Sequence, residues 1–173
     1  MSYFVRLCEA MAMLAAQPRS IFIGQAVAFP GTAMYGTLRD VPAEKRLELP
    51  VAEDMQMGMA TGLALAGELP ICIYPRINFM LLAVNQLVLH LDKMRQYSRY
   101  QPKVIIRTAI ATNEPLDPGP QHLGDYSDAM HWLLQHVKVQ RIMGENHIAP
   151  TYQDALARDG STLIIEYLSE YNR

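Results

Sequence analysis

Residues 46–66 read RLELPVAEDMQMGMATGLALA, and the way this stretch divides decides the fold. A strand over Arg46–Leu49 stops at Pro50, whose ring nitrogen cannot donate to a sheet ladder, and a helical pattern then runs from Glu53 to about Ala66. A carboxylate therefore stands at a strand-to-helix turn, on the edge where open α/β sheets take their ligands. Gly58 and Gly62 lie one helical turn apart, and each costs roughly 1 kcal/mol relative to alanine inside a helix, which predicts a close backbone approach on that face. Two readings of Glu53 stay open at this level: a working carboxylate, or a favourable charge beside the positive end of a helix dipole.

The same alternation of strand and helix continues on both sides. Apolar runs at Ser20–Gly24, Pro70–Tyr74, Lys103–Thr108, Val137–Ile142 and Thr162–Glu166 read as strands covered on both faces. Helical spacing of Phe4, Leu7, Cys8, Met11 and Leu14, ended by Pro18, predicts a first helix, with others over Phe79–Tyr100, Ser127–Gln135 and His147–Arg158 and a short one near Met34–Arg39. These elements predict one three-layer α/β/α domain over residues 1–173, built on a mostly parallel sheet of about six strands. The helix from Phe79 carries one apolar stripe (Met80, Val84, Leu87, Leu91, Met94) and a second face (Leu81, Leu82, Val88, Leu89). Either the helix is central to its own domain or a partner subunit covers the second face. Pro115, Pro118, Gly119 and Pro120 mark one rigid loop.

At 173 residues, 50% apolar and 18% charged, the chain suffices for one ordinary core. A net charge of -2 with no basic block disfavours an electrostatic nucleic-acid binder. Cys8 and Cys72 sit in apolar contexts without metal-ligand spacing and read as buried thiols of a reducing compartment. No apolar run reaches the roughly 20 residues of a spanning helix, and the N-terminus lacks a signal-peptide pattern, so the expected location is cytoplasmic. His90, His131, His136 and His147 share no ligand spacing and read as structural or surface residues, and no metal site is assigned to this chain. His122 differs, because it stands in a loop after Pro120.

Taken in order, Pro50-Val51-Ala52-Glu53, Gly58 and Gly62, Ala66-Gly67, Leu69-Pro70-Ile71-Cys72, Asn78-Phe79, Ala83, Gln86, Lys93, Val104-Ile105-Ile106-Arg107 and Gly119-Pro120-Gln121-His122 form a series with characteristic gaps. Over roughly residues 18–168 the chain resembles the pyrimidine-binding domain of thiamine diphosphate enzymes, above all the beta subunit of 2-oxoacid dehydrogenases and then transketolase. The resemblance implies that Glu53 hydrogen-bonds the aminopyrimidine of thiamine diphosphate and activates it, and that Phe79 stacks on that ring. It implies that His122 moves protons or stabilises charge on the substrate side. The implied activity is decarboxylation of a 2-oxoacid, dehydrogenase-type chemistry or transketolase-type two-carbon transfer.

Departures from the family pattern carry information too. Ile77 replaces an aromatic residue, and Thr108-Ala109-Ile110-Ala111-Thr112 replaces a glycine-rich stretch. The Gly-Asp-Gly motif that holds diphosphate and Mg2+ is missing, since Gly124-Asp125 is followed by Tyr126, and no transketolase C-terminal domain follows. The resemblance therefore implies an obligate subunit: an alpha-type partner carrying Gly-Asp-Gly supplies the diphosphate and Mg2+ site, and the chains self-associate in an alpha2beta2-like heterotetramer with paired glutamate helices. Two alternatives remain. One is a non-catalytic pyrimidine-domain-like scaffold subunit, and the other is an unrelated α/β nucleotide-binding module, against which the lack of a phosphate loop counts.

Overall fold

Along each central strand, successive apolar residues enter opposite cores. Ile71 and Ile73 pack into one cluster and Cys72 into the other, Ile105 and Ile106 divide likewise, and Ile164 separates from Leu163 and Ile165. That division requires helices on both faces of a sheet. The computed structural model describes residues 2–114 and 117–171, so Pro115 of the predicted rigid loop lies outside the described residues.

Six strands, β1 (Ser20–Gly24), β2 (Arg46–Glu48), β3 (Leu69–Ile73), β4 (Ile105–Ile110), β5 (Lys138–Arg141) and β6 (Thr162–Tyr167), form one sheet in the order β2-β1-β3-β4-β6-β5. Every pairing is parallel, which sharpens the expected mostly parallel sheet into a wholly parallel one. Helices α1 (Tyr3–Ala15) and α7 (Glu145–Ala157) pack together over one face, with the short α2 (Ala33–Gly36) beside them. Helix α3 (Glu53–Leu65), the helical run from α4 (Ile77–Met80) to α5 (Met94–Tyr97), and α6 (Ser127–Leu133) cover the other. Pro70 is tolerated in a central strand because it precedes the first residue of β3 that pairs with β4, Ile71.

The run after β3 is not the single α-helix expected over Phe79–Tyr100. After α4 it tightens into a 3-10 turn (Leu81–Ala83), widens into a π-turn (Gln86–Leu91), and resumes as α5. The widened turn turns Asp92 inward, where its carboxylate accepts the N–H groups of Gln135, His136 and Val137 at 2.8–3.2 Å and fixes the approach to β5. Apolar spacing cannot distinguish a regular helix from this sequence of turns.

Helix α3 seats itself by two close approaches. At Gly24 a Cβ would stand 2.4 Å from the Ile73 carbonyl oxygen, so only glycine lets Gln56 reach between β1 and β3 and donate to that oxygen at 2.9 Å. At the other end Gly67, with φ +87°, closes the helix: its N–H bonds Ala64 O and the Glu68 N–H bonds Leu63 O, the paired hydrogen bonds of a Schellman turn. The expected tight packing at Gly58 and Gly62 does not occur within the chain. Gly58 faces Gln86 at ordinary contact distance, and Gly62 faces open space.

The most demanding contact is between charges. Arg107 of β4 and Glu166 of β6 are wholly buried, with Nε to Oε1 at 2.6 Å and Nη2 to Oε2 at 2.9 Å. The Tyr152 and Tyr171 hydroxyls also donate to this carboxylate, and Thr37 Oγ1 accepts from Arg107 Nη1 at 2.8 Å. Burial opposes the Arg107 charge, but the adjacent Glu166 carboxylate outweighs it and raises the guanidinium further. Burial, with Glu166 beside them, pushes both phenols far up, so they remain donors.

Among the described residues, no helix is long and apolar enough to cross a membrane. Cys8 and Cys72 are buried and unpaired, as expected, and burial pushes the Cys72 thiol up to about 12. The native protein is therefore expected to leave Cys72 unmodified by a thiol reagent at pH 8, and fast labelling without denaturant would contradict the packing. Arg107→Ala strands a buried carboxylate and should cost about 3–5 kcal/mol in urea unfolding, whereas Arg107→Met with Glu166→Leu should cost less than Arg107→Ala alone.

Candidate functional site

The strand order reverses at β1 and β3: β2 lies on one side of β1 and the rest of the sheet on the other. Outside the carboxyl ends of those two strands, the connecting loops diverge and leave a crevice. A cleft of about 650 Å³ occupies this place, walled by Gln25 and Ala26 after β1, Thr32 in the following loop, Arg76 and Phe79 after β3, and Leu168 beyond β6.

Glu53 is the first residue of α3 and is 5% exposed. Its position is set from the sheet. The buried Tyr74 hydroxyl, one residue past β3, donates to the Glu53 carbonyl oxygen at 2.9 Å, and Gln25, one residue past β1, donates through Nε2 to Glu53 Oε1 at 3.3 Å. Oε2 has no hydrogen-bond partner among the described residues. Glu53 is not itself a lining residue of the cleft; it stands behind Gln25, which is.

Phe79 and His122 meet directly, with ring centroids 5.4 Å apart and planes inclined at 59°. His122 reaches this position through a turn: Gly119, at φ +81°, accepts the His122 N–H through its carbonyl, and Asp117 Oδ1 accepts the Gly119 N–H at 2.8 Å. Asn78 Nδ2 and His122 Nδ1 stand 3.1 Å apart, a hydrogen bond in which the imidazole nitrogen accepts when the ring carries its proton on Nε2. The buried Asn78 Oδ1 has no partner, and an unsatisfied acceptor beside an imidazole fits a ligand group. The two sequence-predicted residues Phe79 and His122 are thus in contact, while Glu53 is linked to the cleft that Phe79 lines only through its hydrogen bond from Gln25.

Two residues of this edge escaped sequence reading. Gln25 could have been found from its place, directly after an apolar strand that ends in glycine. Glu48 could not, because its role appears only when the loop after β1 folds back. Its carboxylate accepts the N–H groups of Ala26, Val27 and Ala28 at 2.6, 2.9 and 2.7 Å. Ala26 has φ +52°, a left-handed conformation that is costly for alanine, and the carboxylate is what holds it.

An exposed apolar strip adjoins the site. Val51, Met55, Met59 and Leu65 project from α3 and its entry beside the open side of Gly62, and Leu82 (65% exposed) and Leu89 (50%) continue the strip along the neighbouring helical run. Of the two readings of that run, the wholly buried one is therefore overturned.

No protein-family model matches this sequence, and no curated protein matches it. Solved structures do. A chain of a split-gene transketolase, in an inactive beta4 tetramer, superposes with TM-score 0.64 at 17% identity, covering 95% of this chain and 51% of that one. A thiamine diphosphate-dependent 4-hydroxybenzoylformate decarboxylase of Rhodococcus jostii RHA1 gives TM-score 0.63 at 14% identity, over 95% of this chain and 30% of that one. A Mycobacterium smegmatis protein described as thiamin diphosphate-dependent gives 0.61 at 12%, over 97% and 32%. The chain thus spans about half the length of the first and about a third of the other two. These likenesses bear out the fold: it is that of the pyrimidine-binding domain of thiamine diphosphate-dependent enzymes.

The loop geometry makes a direct prediction. Glu48→Ala releases three amides, which should cost about 3 kcal/mol of stability. It should also speed hydrogen exchange at Ala26–Ala28 at least about tenfold over any change at β4, and unchanged exchange there would refute the role given to Glu48.

Proposed function

We propose that this chain is the pyrimidine-binding subunit of a heteromeric thiamine diphosphate-dependent enzyme acting on a 2-oxoacid or a ketose, by decarboxylation or dehydrogenase-type chemistry or by transketolase-type two-carbon transfer. The observation that carries this reading is the contact of Phe79 with His122 at the strand-order reversal, where Phe79 lines one cleft together with Gln25, the residue that donates to Glu53, in a fold shared with thiamine diphosphate-dependent enzymes.

The residues present fit one end of the cofactor. A flat apolar ring, a shielded carboxylate with one free oxygen and an unsatisfied buried amide oxygen suit an aminopyrimidine. For the diphosphate and Mg2+ the chain offers less: among the described residues no cluster of three or more His, Cys, Asp or Glu side chains could hold a metal ion. Those groups would belong to an alpha-type partner chain carrying Gly-Asp-Gly.

When bound, the cofactor supplies an electron sink for making or breaking a bond next to a carbonyl. In this reading Glu53 holds or passes a proton at Oε2, the oxygen that Gln25 leaves free, toward the pyrimidine ring nitrogen. Gln25 and Tyr74 fix the carboxylate and its backbone so that this oxygen keeps one position. Phe79 orients the pyrimidine ring, and His122, held through Nδ1 by Asn78, gives or takes a proton at Nε2. The strip from Val51 to Leu89 provides the surface for self-association of α3 helices, with open space at Gly62 allowing close approach, in an alpha2beta2-like cytoplasmic assembly.

The split-gene transketolase chain in an inactive tetramer motivates the second reading, a scaffold subunit without cofactor chemistry. Co-expression with a chain carrying Gly-Asp-Gly separates the two. Glu53→Gln is expected to lower consumption of a 2-oxoacid or ketose by at least about 100-fold without dissociating the complex. Phe79→Ala should weaken thiamine diphosphate binding by about tenfold. Equal turnover in wild type and Glu53→Gln would sink the glutamate mechanism, and full turnover by this chain alone would sink the two-chain assembly.

A further inference from the structure

We infer that Arg76 forms an oxyanion-binding subsite in the cleft after β1 and β3, and that it is the residue of this chain that receives a carboxylate or phosphate group of the substrate. The inference deepens the proposed function and rests on it for the identity of the substrate, though not for the binding of the anion.

Three observations carry it. Arg76 lines the cleft on the same wall as Phe79, three residues away along α4, so a molecule beside the Phe79 ring lies within reach of the guanidinium. The side chain is partly buried and has no structural task. It forms no ion pair or side-chain hydrogen bond among the described residues, and it does not cap α4, whose first turn is closed by the Arg76 carbonyl instead. Among the described residues no acidic side chain lines the cleft, and of the nearby acids Glu48 is taken up by three loop amides and Glu53 accepts Gln25 through one oxygen.

An arginine held in a concave site without a counter-charge gives up part of its hydration with no return from the fold, a disposition that suits binding better than stability. Its planar fork matches a carboxylate or a phosphate through two parallel N–H···O bonds. Gln25 and Thr32 stand on the facing wall and add polar groups at the same opening. Glu53 is not among the residues that line the cleft, whereas Gln25, which donates to it, and Arg76 are.

The test uses the full chain and two probes, pyruvate and inorganic phosphate, with chloride at matched ionic strength as the control. Ligand-detected saturation-transfer NMR would compare wild type, Arg76→Gln, Arg76→Lys and, as a control for surface charge, Arg99→Gln. Wild type and Arg99→Gln should bind a probe equally, Arg76→Gln should bind it at least about tenfold more weakly, and Arg76→Lys should fall between them. Binding of pyruvate alone assigns a carboxylate, binding of phosphate alone assigns a phosphorylated substrate, and binding of both supports a general oxyanion site. Retained binding in Arg76→Gln, or no binding of either probe to wild type, would overturn the subsite. Thiamine titrated separately should bind Arg76→Gln as it binds wild type and lose affinity with Phe79→Ala. Arg76-dependent anion binding without any thiamine binding would leave the subsite standing and remove the proposed cofactor.

Discussion

The buried pair of Arg107 and Glu166 is the constraint on which the rest of the molecule is arranged. Two charges removed from water are tolerable only when each donor and acceptor is matched, and here the matching groups come from separate parts of the chain: Thr37 after α2, Tyr152 of α7, and Tyr171 beyond β6. The pair therefore ties the adjacent strands β4 and β6 to the helical layer formed by α1 and α7. Tyr171 also packs against the rings of Tyr3 and Phe4, which draws α1 into the same arrangement. An apolar pair would fill the space, but it would not specify which tyrosines must face it.

The opposite face of the sheet is organised by backbone groups more than by charge pairs. Gln56 reaches the Ile73 carbonyl, Tyr74 reaches that of Glu53, Glu48 gathers three amides and Asp92 gathers three more. Each of these contacts stops a loop or helix end from moving relative to a strand. Together they leave the carboxyl edge of β1 and β3 as a fixed rim, on which Gln25, Glu53, Phe79 and Arg76 are held by elements that cannot shift independently. A site assembled on such a rim loses little freedom when it takes a ligand.

Much of this was legible in the sequence, and the limits have physical reasons. Strands buried on both faces announce themselves as apolar runs, which marked β1, β3, β4 and β6. The edge strands β2 and β5 are only partly buried, yet they too lie within a few residues of the expected spans, and Glu53 was visible because proline follows β2 just before it. Arg107 and Glu166 are charges inside two such runs, VIIRTAI and TLIIEY, and their role was not read from the sequence, since their pairing depends on which strands are neighbours, which local pattern does not encode. Glu48 accepts backbone amides of the loop after β1, and neither residue type nor spacing marks that role. The π-turn before Asp92 was hidden because apolar residues recur at nearly the same intervals in regular and widened helices.

The position of β6 between β4 and β5 has a consequence for how the chain acquires its structure. Among the described residues β5 pairs only with β6, which follows it in sequence, so the second half of the sheet cannot close until β6 has been made. On the ribosome, Arg107 would leave the exit tunnel well before its carboxylate partner exists. Until β6 follows, β4 lacks one neighbour and Arg107 lacks its counter-charge, an arrangement that disfavours early folding. Parallel topology with a late-inserted strand thus makes folding of this domain a nearly all-or-none event that waits on Glu166.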